Sequence, residues 1–348
     1  MTQPRRHDRA VTIKDVAREA DVSAMTVSNV LNGRGRVSEE TAARIRAVVE
    51  RLGYRPSMAA RRLRLSRQWT IGMLIVVEDR DFLSDPFITA QVTGLTNYLT
   101  QNAYSLIVRG IRPSDFRTSG LFQQIEADGM VAILSGSEPQ RQACIRQIGR
   151  MRLPTVLLQE QAASQEPDCV VLRQDDFAGG QQVARHLLET GARGFWMLIP
   201  QAEWPGMKAR LAGVTAELQA AGLPPPTVVQ CSDESYDVAY AATLAALEER
   251  GAPDAIVGGN DQLAIAAMKA CQARGFSVPD DIQISGFNGF AFWRYVEPVL
   301  TTVISPAHLL GERAGELLID RLQVGAFAAS ELVLPVTFQP GRSTRAHT

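Results

Sequence analysis

The chain has 348 residues, 45% of them hydrophobic and 21% charged, with a formal net charge of -1. That length exceeds one ordinary core, so a soluble protein of two or three globular units is expected. No apolar run approaches the roughly 20 residues that span a bilayer, and the opening stretch MTQPRRHDRA lacks the apolar segment of a secretory leader, so a cytoplasmic location and no membrane partner are expected.

Cys144, Cys169, Cys231 and Cys271 are dispersed without CxxC or Cys/His ligand spacing, which predicts buried reduced thiols and no metal. The near-zero net charge hides an asymmetry. Residues 1–68 carry 15 Lys+Arg against 7 Asp+Glu, a balance of +8, and the remainder carries 21 against 30, a balance of -9. A basic module on an acidic body suits a small nucleic-acid reader attached to a domain that stays off the phosphates.

In chain order, Thr12-Ile-Lys-Asp15 reads as a capping box that starts a helix carrying Val16, Ala17 and Ala20 on one face. Asp21-Val22 is a turn, and Ser23 caps a second helix, Ala24 to Leu31. In it Val27, Val30 and Leu31 are expected to face inward, and Ala24, Met25, Ser28 and Asn29 outward. Asn32 and Gly33 tolerate left-handed backbone angles. Ser38 then caps a third helix, with Glu39 and Glu40 in its first turn, an apolar stripe of Ile45, Val48, Val49 and Leu52, and Gly53 at its end. Two short helices joined by a tight turn, with a third to share their core, make an all-α helix-turn-helix head. Pro56 forces Arg55 out of helical geometry, and Ser57 can cap a short helix, Met58 to Arg64, too short to persist alone.

From Trp69 onward, apolar β-rich runs alternate with amphipathic stretches. Strands are predicted at Ile71–Val76, Ser105–Val108, Met130–Leu134, Thr155–Leu158, Val170–Leu172, Trp196–Ile199, Thr227–Gln230, Ala255–Val257 and Ile282–Phe287. Helices fall between them, including Thr89–Gln101, Phe177–Thr190, Met207–Ala221, Ser235–Arg250 and Gln262–Arg274. Strands buried on both faces and joined by helices predict an α/β body of parallel sheets. No GxGxxG follows a strand, and neither GxxxxGK[ST] nor GxSxG occurs, so no cofactor or nucleotide site is expected. His7 and His347 lie in the tails and His186 and His308 in helical stretches, which leaves no acid, base and nucleophile constellation for an enzyme.

The segment VTIKDVAREADVSAMTVSNVLNGRGRVSEETAARIRAVVERLGYRPSMAARRLR resembles the DNA-binding head of the lactose/galactose repressor (LacI/GalR) family, in the order and spacing of its TIKDVA, VS..TVS.VLNG, VS..T..R and LGY.P..AR.L elements. RLAG at Arg210–Gly213, NDQLAIAAMKACQARGFSVPDDIQISGFNG at Asn260–Gly289 and PVLTTV at Pro298–Val303 extend the resemblance to the body. The resemblance implies a homodimer whose two heads read a roughly palindromic double-stranded operator. It also implies a body of periplasmic-binding-protein type, with two doubly wound parallel-sheet subdomains.

By that resemblance the domains are a head at 1–56, a hinge and linker at 57–68, and an effector-binding and dimerisation body at 69–348. The body divides into an N-subdomain (about 69–168 and 306–332) and a C-subdomain (169–305 and 333–348). The DNA-binding set is then Thr12, Ser23, Ala24, Met25, Thr26, Ser28, Asn29, Asn32, Ser57, Ala60 and Leu63. Ala24, Met25 and Asn29 stand at base-reading positions, Thr26 and Ser28 near phosphates, and Leu63, with Ala60 beside it, at the hinge residue that wedges into the minor groove. Apolar Ala and Met suit a thymine methyl, and Asn29 suits adenine N6/N7.

The resemblance further implies a small-molecule effector in the cleft between the subdomains, at Phe87, Gln159, Trp204, Arg210, Asn260, Asp261 and Asn288. Gln159 and Asn288 stand where many relatives have Asp, while Arg210 remains. Two neutral amides beside a cation favour an anionic effector, and FNG resembles the gluconate-type repressors of the family, so a sugar acid such as gluconate is expected. Cleft closure across the dimer interface would release the hinges from DNA, or with the opposite sign secure them, making the ligand an inducer or a corepressor. A sugar-binding module for transport would fit the body but not the basic head. The chain lacks a long heptad tail after QPGRST, so a dimer is expected before a tetramer.

Overall fold

The computed structural model describes residues 11–31, 37–54, 67–78, 82–116, 125–161, 166–202 and 204–346. Asn32, Ser57, Ala60, Leu63 and the hinge helix expected at 58–64 lie outside the described residues. The chain divides into two compact units, Met1–Arg67 and Gln68–Thr348.

In the first unit, α1 (Ile13–Glu19) begins where the Asp15 carboxylate accepts from Thr12 N at 2.9 Å and from the Thr12 hydroxyl at 2.7 Å. The next helix, α2 (Ala24–Leu31), begins where Ser23 Oγ accepts from Thr26 N at 3.0 Å. Ser38 Oγ accepts from Thr41 N to start α3 (Glu39–Leu52), and Gly53, at φ +61°, ends it in the left-handed region. Val16, Ala17, Ala20, Val27, Ile45 and Val48 form the shared core. Each helix is thus bounded by local capping chemistry and held by one small apolar cluster.

The second unit contains two parallel sheets. Strands β1 (Thr70–Val76), β2 (Ser105–Ile111), β3 (Gly129–Leu134), β4 (Thr155–Leu158) and β5 (Cys169–Gln174) belong to the first. Both β1 and β3 are buried along their whole length, as strands covered on both faces must be. One face carries Ile88, Leu95 and Leu99 of α4 (Pro86–Gln101). The other carries Cys144, Ile145 and Ile148 of α5 (Glu138–Gly149).

The chain then enters α6 (Asp176–Glu189) and builds the second sheet from β6 (Phe195–Pro200), β7 (Thr227–Cys231), β8 (Ala255–Gly258) and β9 (Gln283–Ser285), in the order β7-β6-β8-β9. Helices α7 (Pro205–Ala220), α8 (Tyr236–Arg250) and α9 (Asp261–Ala273) alternate with these strands, with α6 and α7 on one face and α8 and α9 on the other. After β10 (Thr302–Ile304) the chain returns through α10 (Ala307–Val324), which packs beside α4, to β11 (Glu331–Leu334). That strand pairs with β5, so the first sheet reads β11-β5-β4-β3-β1-β2. Finally β12 (Thr337–Gln339) pairs antiparallel with β10.

The subdomain boundaries differ from those expected. Cys169–Gln174, assigned by sequence to the C-subdomain, pairs with β4 and β11 in the first sheet, so the first crossing follows Gln174. The last crossing follows Leu334 for the same reason. The strand expected at Ile282–Phe287 is shorter, Gln283–Ser285, and soon afterwards Asn288 turns the backbone at φ +94°.

The three crossings are laced together. Asp175 N donates to Leu334 O at 2.9 Å, the Ser305 hydroxyl donates to Gln174 Oε1, and Gln174 Nε2 donates to Asp176 Oδ1 at 2.7 Å.

All four cysteines are free and buried, and burial pushes the Cys231 thiol up to about 11. Among the described residues no helix is long and apolar enough to cross a membrane, and no group of three or more His, Cys, Asp or Glu could hold a metal ion.

Candidate effector cleft and DNA-reading helix

Helices α6 and α7 approach until their backbones touch. A Cβ on Gly180 would lie 2.3 Å from Arg210 O, and one on Gly213 would lie 2.1 Å from Phe177 O. Only glycine permits that contact, and it sets Arg210 of α7 against Asp176 in the first turn of α6. Arg210 Nε donates to Asp176 Oδ1 at 2.8 Å, one terminal nitrogen donates to Gly259 O at 2.5 Å, and the other donates to Asn288 Oδ1 at 2.9 Å. The guanidinium lies over the Phe287 ring, 3.9 Å from its centroid.

This group borders a cavity between the two sheets. The first-sheet side contributes Asp85, Phe87, Ile88, Gln91, Ile133, Leu134, Leu158 and Gln159. The second-sheet side contributes Trp204–Met207, Arg210, Glu234, Asn260, Asn288 and Phe290. Most of these residues lie at the C-terminal ends of parallel strands or in the segments that follow them, where open α/β sheets collect ligands. Of the seven non-glycine residues with positive φ among the described residues, two line it, Gln159 (φ +63°) and Asn288 (φ +94°).

Phe87, Gln159, Trp204, Arg210, Asn260 and Asn288, expected from the sequence, therefore surround one cavity. Asp261 does not join them. It is fully buried, its carboxylate accepts from Phe290 N at 2.6 Å and from the Thr302 hydroxyl at 2.5 Å, and it ties α9 to β10 and the segment after Asn288. Asn260 is the N-cap of α9. Its Oδ1 accepts from Leu263 N at 3.0 Å, while its Nδ2 donates to Glu234 Oε2 at 2.6 Å.

Sequence reasoning missed Asp85, Gln91 and Glu234. Asp85 is the N-cap of α4, accepting from Phe87 N at 2.7 Å. Glu234 follows β7 at its C-terminal end, a position that strand topology alone would flag. Burial, and then the nearby Asp85 charge, push the Glu234 carboxyl up to about 7 against hydrogen bonds from Trp204 and Asn260. Burial also raises Asp85, against its backbone hydrogen bonds. Gln91 announces itself only as a polar residue on the apolar stripe of Ile88 and Leu95.

The charge inventory differs from that expected. Arg210 is the only Lys or Arg lining the cavity among the described residues. Its charge is matched by Asp176, and Asp85 and Glu234 add acidity. The premise of an unmatched cation fails.

In the head, α2 carries no acidic residue in its first turn and no basic residue in its last. Met25 is 64% exposed, Thr26 and Asn29 are half-buried, and Ala24 packs partly against the core. Ser28, expected to face outward, is buried because it lies one turn beyond Ala24 and beside Val27 on the core-facing side. The Ser23 hydroxyl is committed to its cap and to Thr26 Oγ1, 2.9 Å away.

Residues 12–57 match bacterial regulatory proteins of the lacI family, and residues 184–344 match the periplasmic binding protein-like domain. The HTH-type transcriptional repressor PurR of Aliivibrio salmonicida (strain LFI1238) is 30% identical over 316 residues, covering 90% of this chain and 92% of that protein. A crystal structure of the lac repressor dimer bound to operator and the anti-inducer ONPF superposes with a TM-score of 0.83, at 24% identity, over 97% of this chain and all of that one. The transcriptional regulator CelR in complex with cellobiose superposes with a TM-score of 0.70, at 25% identity, over 96% of this chain and 99% of that one.

Proposed function

Since the chain belongs to the lacI family of bacterial regulatory proteins, and is a DNA-binding transcriptional repressor of that family, we propose that its operator affinity is set by a neutral, polyhydroxylated effector held in the cleft between the two sheets. The observation that carries this reading is the Arg210–Asp176 pair, 2.8 Å apart, beside a cavity that also holds Asp85 and Glu234. A matched cation with two further carboxyls repels a sugar acid, while aromatic walls at Phe87, Trp204 and Phe290 suit the C–H face of a sugar ring. The cellobiose bound by CelR is a sugar of this class. Gluconate, expected from the neutral Gln159 and Asn288 beside Arg210, is disfavoured because Arg210 is already paired with Asp176 and the carboxyls of Asp85 and Glu234 line the same cavity.

The working unit is a homodimer, as in the lac repressor structure. Two copies of α2 read two half-sites of a double-stranded operator, with Met25 and Asn29 at base edges and Thr26 near phosphate. Asp176 takes part in both the Arg210 contact and the Gln174 lacing at the crossings, so a ligand beside Arg210 biases the hinge between the subdomains. Thermal-shift measurement with cellobiose, ribose, glucose and gluconate, followed by gel shifts on genomic fragments, tests the reading. A neutral sugar raises the unfolding temperature and changes DNA retention, and the direction of that change distinguishes inducer from corepressor. Tighter binding of gluconate than of every neutral sugar would reject it.

A further inference from the structure

Gln91 is out of keeping with its surroundings. It lies on α4 one turn after Ile88 and one turn before Leu95, on the stripe that faces the first sheet. It is fully buried, and among the described residues neither its Oε1 nor its Nε2 meets a hydrogen-bond partner. Ile88, Ile133, Leu134 and Leu158 line the same cavity and carry no polar side-chain atom. A leucine of nearly the same volume would avoid the cost of burying an unbonded amide, so the amide weakens the free protein and must be repaid elsewhere.

We propose that Gln91 is a specificity-determining residue of the effector site that takes two adjacent hydroxyls of a neutral polyol reaching the apolar floor. The proposal rests on reading this cavity as the effector site. An adjacent hydroxyl pair satisfies both ends of the amide at once, one hydroxyl donating to Oε1 and the other accepting from Nε2. A carboxylate would use Nε2 and leave Oε1 facing an anion. An ammonium would use Oε1 and leave Nε2 unbonded. The C–H groups between the hydroxyls meet Ile133, Leu134 and Leu158. Among the neighbouring amides, Asn260 is engaged at both ends and Gln159 and Asn288 have their oxygens taken by Gln174 N and Arg210, so of these amides Gln91 alone offers an acceptor and a donor together.

The test compares the full chain with Gln91→Leu and Gln91→Met, by thermal unfolding and calorimetry against glucose, ribose, cellobiose and monodeoxy derivatives of whichever of them binds. Without sugar, both variants unfold at or above the wild-type temperature. Sugar affinity falls about tenfold or more in each, because a site built for hydroxyls loses its partner. One monodeoxy derivative binds the wild type more weakly than its parent but binds Gln91→Leu as well as its parent does. Equal sugar affinity in wild type and both variants would overturn the role of Gln91 and leave the sugar reading standing. Sugars that leave the wild-type transition unmoved would overturn both. A lower unfolding temperature in both variants without sugar would show that the amide has a structural task, and would overturn the proposal.

Discussion

Arg210 donates from Nε to Asp176 Oδ1 at 2.8 Å, and the two side chains are only 6% and 0% exposed. The pair is as deeply buried as any strand core, yet it stands at the rim of a cavity and at the first crossing between the sheets. Removing one partner of a buried ion pair leaves the other charge uncompensated, which costs more than the pair itself contributes. Asp176→Asn should therefore destabilise the body by roughly 3 kcal/mol. It should also leave Arg210 without its counter-charge, so that gluconate gains affinity relative to glucose in the variant and the wild-type order narrows or reverses, even with Asp85 and Glu234 still in the cleft. Denaturant unfolding and parallel calorimetry check both outcomes, and an unchanged ratio of the two affinities would separate Asp176 from effector selection.

Glu234 links the cleft to pH. Burial, followed by the Asp85 charge, raises its carboxyl from 4.5 in the unfolded chain to about 7 in the folded protein, so the folded state holds the proton more tightly. Its contribution to stability is fully present below pH 4.5 and is lost as pH rises through about 7. Asp261, raised to about 7 chiefly by burial, acts in the same direction. The unfolding temperature of the free protein should fall between about pH 5 and pH 8. Glu234→Gln should reduce that slope, raising the unfolding temperature at pH 8 more than at pH 5. A variant whose profile ran parallel to the wild type would show that Glu234 does not titrate in this window.

Features set by neighbours in sequence were legible, and those set by distant pairing were not. The Thr12–Asp15 box, the Ser38 cap and the left-handed Gly53 each act within four residues, so their helix bounds could be read directly. Strands such as Thr155–Leu158 could be read because burial on both faces leaves a continuous apolar run. CVVLRQ at Cys169–Gln174 has the same appearance, but which sheet it joins depends on β4 and β11, and β11 lies some 160 residues further on. The compensation of Arg210 by Asp176 spans 34 residues and two helices, and no motif announces it. Asn260 and Asp261 are adjacent, yet the turn at the start of α9 sends one side chain to the cavity and the other into the core.

The α6–α7 crossing gives a test of position rather than charge. An alanine in place of glycine within a helix ordinarily stabilises it by roughly 0.5–1 kcal/mol. At Gly213 the added Cβ would lie 2.1 Å from Phe177 O, a backbone atom that cannot rotate away. Gly213→Ala should reverse the ordinary sign and cost about 1–3 kcal/mol, by forcing the helices apart. It should also weaken sugar binding, because the same displacement moves Arg210 away from Asp176 and Asn288. Chemical unfolding and calorimetry report the two effects, and a stabilised variant would mean that the helices separate without cost.

Base selection by α2 follows from its chemistry. Its exposed Met25 and half-buried Asn29 are an apolar side chain and an amide, and they adjoin the partly exposed Thr26. An amide can pair with adenine N6 and N7 through two bonds, whereas a thioether can only pack on a thymine methyl. Asn29→Ala should remove discrimination worth roughly 1–3 kcal/mol at one base-pair position in each half-site, while leaving the salt dependence of binding near that of the wild type, because no phosphate contact is lost. Met25→Ala should relax selection at a different position and by less. Binding to a randomised operator library, followed by sequencing, resolves the positions one by one. Loss of affinity spread evenly over all sequences in Asn29→Ala would place Asn29 on the backbone of the DNA instead of on a base.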